Sequence, residues 1–264
     1  MSSKKKAGLL LSTDSLSWYW LDLIFQTASN VGFDWIDLAM WKNFDSWSYS
    51  YVKKLSENHN IPVKCIQLSE NVNSREMNQA VDIAKYLSIN TISINAPKIT
   101  NFKSYKFIVN NIWAYKRHNP DIKFCMINPP KSNLFILPVY TYNFTSIVEI
   151  FKKYKMFLWL DIVNLDETIL ETNFLRKMAN FIPYIWIVYV SDKTKTWVWH
   201  APLWQWTLKL ESIFKKFKQN EYYGDFSLKL NLDKLVLSDI EKVEQVLKKS
   251  RLFYKDNYID LVID

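Results

Sequence analysis

"SREMNQAVDIAKYLSINTISINAP", Ser74–Pro97, carries two periodicities in succession. Met77, Ala80, Val81, Ile83 and Ala84 recur at the three- and four-residue spacing of a helix with one apolar face. From residue 91 the pattern changes. "TISINAP" is short and β-branched, and reads as a strand. A helix that passes directly into a strand is half of a βαβ crossover, the connection that parallel strands need.

The same alternation continues in both directions. The other strand candidates are "AGLLLST" (7–13), "WIDLAM" (35–40), "PVKCIQL" (62–68), "IKFCMIN" (122–128), "FLWLDIV" (157–163), "IWIVYVSD" (185–192) and "DFSLKLNL" (225–232). Helical spacing recurs in "LDLIFQTASNVG" (21–32), "TSIVEIFKKYK" (145–155), "LESIFKKFKQN" (210–220) and "SDIEKVEQVLKKSRLFYKDN" (238–257). Gly32 is placed to end the first of these, and Ser238, with Glu241 three residues on, to open the last. Eight strands, each followed by a helix, within 264 residues predict an α/β fold: a closed (β/α)8 barrel with eight parallel strands and outer helices. It forms one domain over 1–264, with residues 1–6 expected to be disordered. A site belongs where the strands end and the βα loops begin.

The net charge is +8, but the lysines are dispersed, so a solvated surface is expected and no nucleic-acid footprint. Cys65 and Cys125 lie in apolar runs and read as buried free thiols, consistent with a reducing, cytoplasmic setting. The apolar run near the start is too short for a signal segment, and no stretch is long enough for a membrane span, so no membrane partner is expected. The chain has 3 glycines and 12 tryptophans. Ordinary usage would place about 18 glycines in this length.

"GFDWIDLAMW" (32–41), followed by a helix and "IPVKCIQL", resembles the second and third units of the xylose-isomerase-like sugar isomerases and epimerases. "AVDIAKYLSINTISINAP" is similar to their third helix and fourth strand. "FLWLDIVNL" resembles their sixth strand, "VYVSD" and "HAPLWQWTL" their seventh strand and its loop, and "EYYGDFSLKL" the approach to the eighth. The resemblance implies a divalent cation held by a glutamate, an aspartate, a histidine and a glutamate on strands five to eight. Here those positions hold Ile127, Asp161, Tyr189 and Lys229, and the histidine usual after the aspartate is Asn164. No metal set follows from these residues, and Asp161 is the one candidate ligand.

The resemblance therefore implies a sugar or sugar-phosphate isomerase/epimerase of altered chemistry, acting on a carbohydrate-like small molecule. Asp161, Lys229, His200 and Asp192 are its candidate catalytic residues, with Lys229 as base or electrostatic stabiliser paired to Asp161. Asp37, Asn95, Asn128, Asn164 and Tyr189 are its candidate ligand contacts. A non-catalytic barrel that binds a carbohydrate-like ligand or a partner protein is the alternative. A relative of the barrel apurinic endonucleases is remoter, since their zinc cluster needs more histidines than the three present.

Family glycines fall at Trp35, Trp159, Trp204 and Trp206, and Trp18, Trp20, Trp197 and Trp199 lie in loops where glycine is natural. This predicts that many of these positions are glycine in the cell, their UGA codons being translated as glycine and written as tryptophan. Trp41 and Trp47 are exempt, and Trp113 and Trp186 are undecided. The gene is expected to carry UGA at the predicted positions, and the natively produced protein to be lighter than the tryptophan-bearing chain. UGG codons there overturn this reading.

Overall fold

The computed structural model describes residues 7–96, 101–129, 132–134, 137–139, 153–165, 181–194, 199–204, 207–232 and 239–263. The helix expected over 145–155 and the cap at Ser238 therefore lie almost wholly outside the described residues, as do residues 1–6, Trp197 and Trp206.

All eight expected strands form. They are β1 (Leu9–Ser12), β2 (Trp35–Ala39), β3 (Val63–Gln67), β4 (Thr91–Asn95), β5 (Lys123–Ile127), β8 (Phe157–Asp161), β9 (Ile185–Val190) and β12 (Asp225–Leu228). Each is shorter than its apolar run, because the flanking residues enter and leave the loops. Every pairing is parallel, and the ring closes in the order β1-β12-β9-β8-β5-β4-β3-β2. Two small antiparallel hairpins stand outside the ring. One is β6 (Ser132–Leu134) with β7 (Leu137–Val139), inside the long segment after β5; the other is β10 (Asp192–Lys193) with β11 (Trp199–Ala201).

The described helices are α1 (Leu21–Val31), α2 (Tyr49–Asn58), α3 (Ser74–Tyr86), α4 (Phe102–His118), α5 (Leu210–Gln219) and α6 (Ile240–Tyr254). Gly32 ends α1 at φ 84°, its amide reaching the Ala28 and Ser29 carbonyls, a left-handed cap that a β-carbon would strain. The N-cap of α6 is Asp239, whose carboxylate accepts from the Lys242 amide three residues on. Among the described residues no helix is long and apolar enough to cross a membrane.

Two cores result. The larger lies between the ring and the helices. Helix α5 shows how sequence builds it: Leu210, Ile213, Phe214 and Phe217 form one buried stripe, and Phe214 meets Phe226 of β12 edge-on at 5.7 Å. The smaller fills the barrel lumen with Leu10, Cys65, Cys125, Ile127, Trp159, Ile187 and Tyr189. Both thiols are free and fully buried, as their apolar runs predict. Trp159 is wholly buried against Tyr189, with ring centres 5.0 Å apart, and its indole N–H has no hydrogen-bond partner among the described residues. An orphaned buried donor costs on the order of 1–3 kcal/mol. Trp35 closes the floor of the barrel so tightly that a β-carbon on Gly8 would lie 1.8 Å from its ring. Among the described residues no tryptophan has a positive φ, so the backbone itself does not demand glycine at Trp18, Trp20, Trp35, Trp159, Trp199 or Trp204.

The last turn after α6, Lys255–Ile259, is held from α5. The Lys218 ammonium donates to the carbonyls of Tyr258 (2.7 Å), Ile259 (3.0 Å) and Leu261. These are charge-assisted bonds to carbonyls at the end of a helix, where the macrodipole also favours a cation. Lys218→Met is expected to destabilise the fold by about 2 kcal/mol. The measurement is the urea midpoint, which should fall with the slope of the transition unchanged.

Candidate functional site

The strands converge on a polar mouth at their C-terminal ends. Its centre is Lys229, the first residue after β12. Backbone contacts to neighbouring loops fix it. Ser15 Oγ donates to the Leu228 carbonyl and accepts from the Leu230 amide, bracketing Lys229 from the first βα turn. The Lys229 amide reaches Val190 O, and the Asn231 amide reaches His200 O.

The Lys229 ammonium pairs with Asp14 at 3.0 Å, and Lys42 takes the other Asp14 oxygen at 3.2 Å. The expected direct pair with Asp161 is thus corrected: Asp14, two residues past β1, reaches the ammonium first. Burial disfavours the Lys229 charge, yet Asp14 and Asp161 outweigh it and hold its pKa above the ordinary lysine range. Burial likewise acts against the Asp14 carboxylate, but Lys229 and then Lys42 bring it below the usual range. Lys229 also stands 5.0 Å from the centre of the Tyr189 ring.

Asp161 closes β8 and is nearly inaccessible. Its Oδ1 accepts from the Val163 amide (3.3 Å) and its Oδ2 from Asn164 Nδ2 (3.2 Å). Asn128 grips the Asp161 backbone from both sides, donating to its carbonyl (3.0 Å) and accepting from its amide (2.6 Å), while Asn164 also donates to Asn128 O (2.8 Å). The two asparagines thus continue the β5–β8 pairing beyond the strands and aim the carboxyl. Burial raises the Asp161 pKa to about 7, against the opposing pull of Lys229.

His200 lies on β11 with φ 61°, in the left-handed region. Its Nδ1 is 2.9 Å from Ser191 Oγ, and its Nε2 is 3.6 Å from Asp161 Oδ2, too far for a hydrogen bond. Burial, reinforced by Lys229, lowers its pKa to about 3, so the contact is between a neutral imidazole and the carboxyl and not an ion pair.

The remaining candidates separate from this cluster. Asp37 lies deeper, fully buried, accepting from Ser227 Oγ (2.9 Å) and Cys65 Sγ (3.4 Å); burial raises its pKa to about 6. Tyr189 points its hydroxyl to Gln67 Oε1 at 2.6 Å. Asn95 Nδ2 donates to Leu68 O (2.9 Å), and Asp192 accepts from the Lys193 and Leu208 amides, both at 2.8 Å, which sets the loop leading to α5. Sequence reading missed Asp14, Lys42, Gln67 and Ser191. Only Asp14 left a trace: a carboxylate in the first βα turn.

The divalent cation implied by the resemblance does not fit these residues. Ile127, Tyr189 and Lys229 stand at the ends of β5, β9 and β12, where an octahedral oxygen cage would need carboxylates and an imidazole. Among the described residues no three His, Cys, Asp or Glu side chains are placed to hold a metal ion.

No protein-family model and no curated protein matches the chain. Solved structures do. A xylose isomerase domain containing protein from Salmonella typhimurium LT2 superposes with a TM-score of 0.70 at 11% identity, over 96% of this chain and 99% of that one. The IolI protein, solved with a bound zinc atom, gives 0.70 at 16% identity over 95% and 99%. A sugar phosphate isomerase/epimerase from Parabacteroides distasonis ATCC 8503 gives 0.61 at 15% identity over 96% and 97%. The chain shares the closed eight-stranded (β/α)8 barrel fold of these structures.

The raised Asp161 pKa has a consequence for stability. Between its unfolded value near 4 and its folded value of about 7, the folded state binds the extra proton. Asp161 therefore lowers stability as pH rises through that window. Asp161→Asn should gain melting temperature relative to the parent chain between pH 4 and pH 8, and a difference that does not change with pH would contradict the assignment.

Proposed function

We propose that the chain is a sugar or sugar-phosphate isomerase/epimerase-like protein that moves a proton between adjacent carbons without a metal. The observation that carries this reading is the juxtaposition of an ammonium group, Lys229, with Asp161, a carboxyl that titrates near neutral pH, at the mouth of the barrel. The barrel shared with sugar isomerase/epimerase-like structures supports the substrate class.

The roles follow from the charges. Lys229 stays protonated, so it acts as a hydrogen-bond donor and fixed positive charge toward a substrate carbonyl oxygen, not as a Schiff-base nucleophile. Asp161, with a pKa matched to physiological pH, takes the proton from the carbon next to the carbonyl and returns it to the former carbonyl carbon. The enediolate formed between these steps carries its charge on the oxygen that Lys229 faces. As one hydrogen changes carbon, one hydroxyl proton moves to the old carbonyl oxygen, and the exchange balances. In the tautomer in which Ser191 Oγ donates to Nδ1, the neutral His200 carries its proton on Nε2 and can orient a substrate hydroxyl. Asp192 supports the loop that carries Leu208, and it has no proton-transfer role in this scheme.

The test is carbon–hydrogen exchange in D2O with a panel of aldoses and ketoses and their phosphates, read by NMR with and without EDTA. Exchange that persists in EDTA and falls at least about 100-fold in both Asp161→Asn and Lys229→Met is expected. Loss of exchange on chelation overturns the metal-free reading. Saturable binding with no exchange reassigns the protein as a carbohydrate-binding barrel.

A further inference from the structure

The end of the barrel opposite the mouth has a concave site of its own. The last turns of α4 and the approach to β8 enclose a groove of about 640 Å³, lined by Asn110, Trp113, Ala114, Lys116, Arg117 and Lys155. Asn110, Trp113, Ala114 and Arg117 are spaced three or four residues apart and so share one face of α4. Lys155 forms the other wall, two residues before β8 begins. Asp161 ends that same strand, about 20 Å away at a rise of roughly 3.3 Å per residue.

Among the described residues the lining carries three cations and no carboxylate. Lys116 is committed to the chain: its half-buried ammonium donates to the carbonyls of Tyr154 (3.0 Å) and Lys155. Arg117 and Lys155 are exposed, and neither has an ion-pair partner among the described residues. The C-terminal end of α4 offsets about half a charge, which leaves roughly two positive charges uncompensated in one hollow. Burial lowers the Lys116 pKa and Lys155 lowers it further, so the cations are held together against their repulsion. Lys155 is also fixed at φ 48°, in the left-handed region.

Beside these charges stands an aromatic face. Trp113 is 46% exposed, with Lys116 Nζ 5.9 Å from its ring centre. It lies in the interior of α4, where glycine is destabilising, so tryptophan is the residue that suits this position. Asn110, one turn earlier, brings an amide that both donates and accepts.

From this we infer that the groove binds a nucleotide, its base stacked on Trp113 beside Asn110 and its phosphates between Arg117 and Lys155. A nucleotide uses all three features. A bare phosphate leaves the indole idle, and an uncharged aromatic leaves the cations idle. A guanidinium takes phosphate oxygens in pairs, and an indole stacks on any base. The volume falls in the range of small-molecule pockets, about 300–1,000 Å³. The other lysines are dispersed along the chain, which fits a single nucleotide and not a nucleic-acid strand. The site does not depend on proton transfer at the mouth.

The test is calorimetric titration of the full-length chain with ADP, GDP, CDP and UDP. Adenosine, ribose 5-phosphate, inorganic pyrophosphate and a thymine octanucleotide serve as comparisons. At least one diphosphate is expected to bind saturably, about tenfold or more tightly than adenosine, ribose 5-phosphate or pyrophosphate. Arg117→Gln, Lys155→Gly and Trp113→Ala should each weaken it about tenfold. Lys155→Gly removes the charge and the left-handed strain together, so that variant should melt no lower than the parent chain. Asp161→Asn at the mouth, and Lys54→Gln on the exposed face of α2, should keep the parent affinity. The inference is overturned by an absence of saturable nucleotide binding, or by adenosine or pyrophosphate binding as tightly as every diphosphate. Affinity unchanged in Arg117→Gln and Lys155→Gly, or lost in Asp161→Asn, overturns it equally. An octanucleotide bound more tightly than every diphosphate makes the groove a nucleic-acid surface instead, and glycine at position 113 in peptides of the natively produced protein removes the stacking face.

Discussion

Closure of the ring is the constraint on which the rest depends. When β1 pairs with β12 on one side and β2 on the other, the sheet has no edge, and every inward residue shares one lumen of fixed volume. The lumen is plugged at mid-height by Trp159, Tyr189, Ile187 and Leu10. The strands' common direction makes the two ends different. One end has Trp35 against Gly8, with Lys64 lying over the indole. The other has the Lys229–Asp14 pair and the Asp161 cluster.

Closure also sets the electrostatics. Asp161, His200 and Lys229 are brought from distant parts of the chain into a poorly hydrated mouth, where burial works against every charge. Which charge survives is decided by the neighbours. Lys229 keeps its proton because Asp14 faces it, Asp14 stays ionised because two ammonium groups face it, and Asp161 and His200, lacking so close a partner, drift toward their neutral forms.

The fold was legible because its signal is local. β-branched runs of strand length, alternating with apolar stripes such as that of Ser74–Tyr86, define the barrel without any tertiary knowledge. Asp161 was legible too, as a carboxylate ending the run "FLWLDIV". The partner of Lys229 was not. Asp14 and Lys229 are separated by most of the chain, and an aspartate in "STDSLSWYW" looks like any loop residue until the ring closes. Asp37 shows the reverse limit: it stands where a strand-end ligand contact is expected, but the pleat turns it inward to Ser227 and Cys65. At α6 the sequence pointed to Ser238, and the hydrogen bond from the Lys242 amide to the next residue, Asp239, could be seen only in the folded chain.

The backbone of His200 has a further meaning. A β-carbon in the left-handed region carries a steric penalty that glycine avoids and asparagine bears lightly. The β10–β11 hairpin holds an imidazole there at a backbone cost, and that same backbone turn places its two nitrogens toward Ser191 and Asp161.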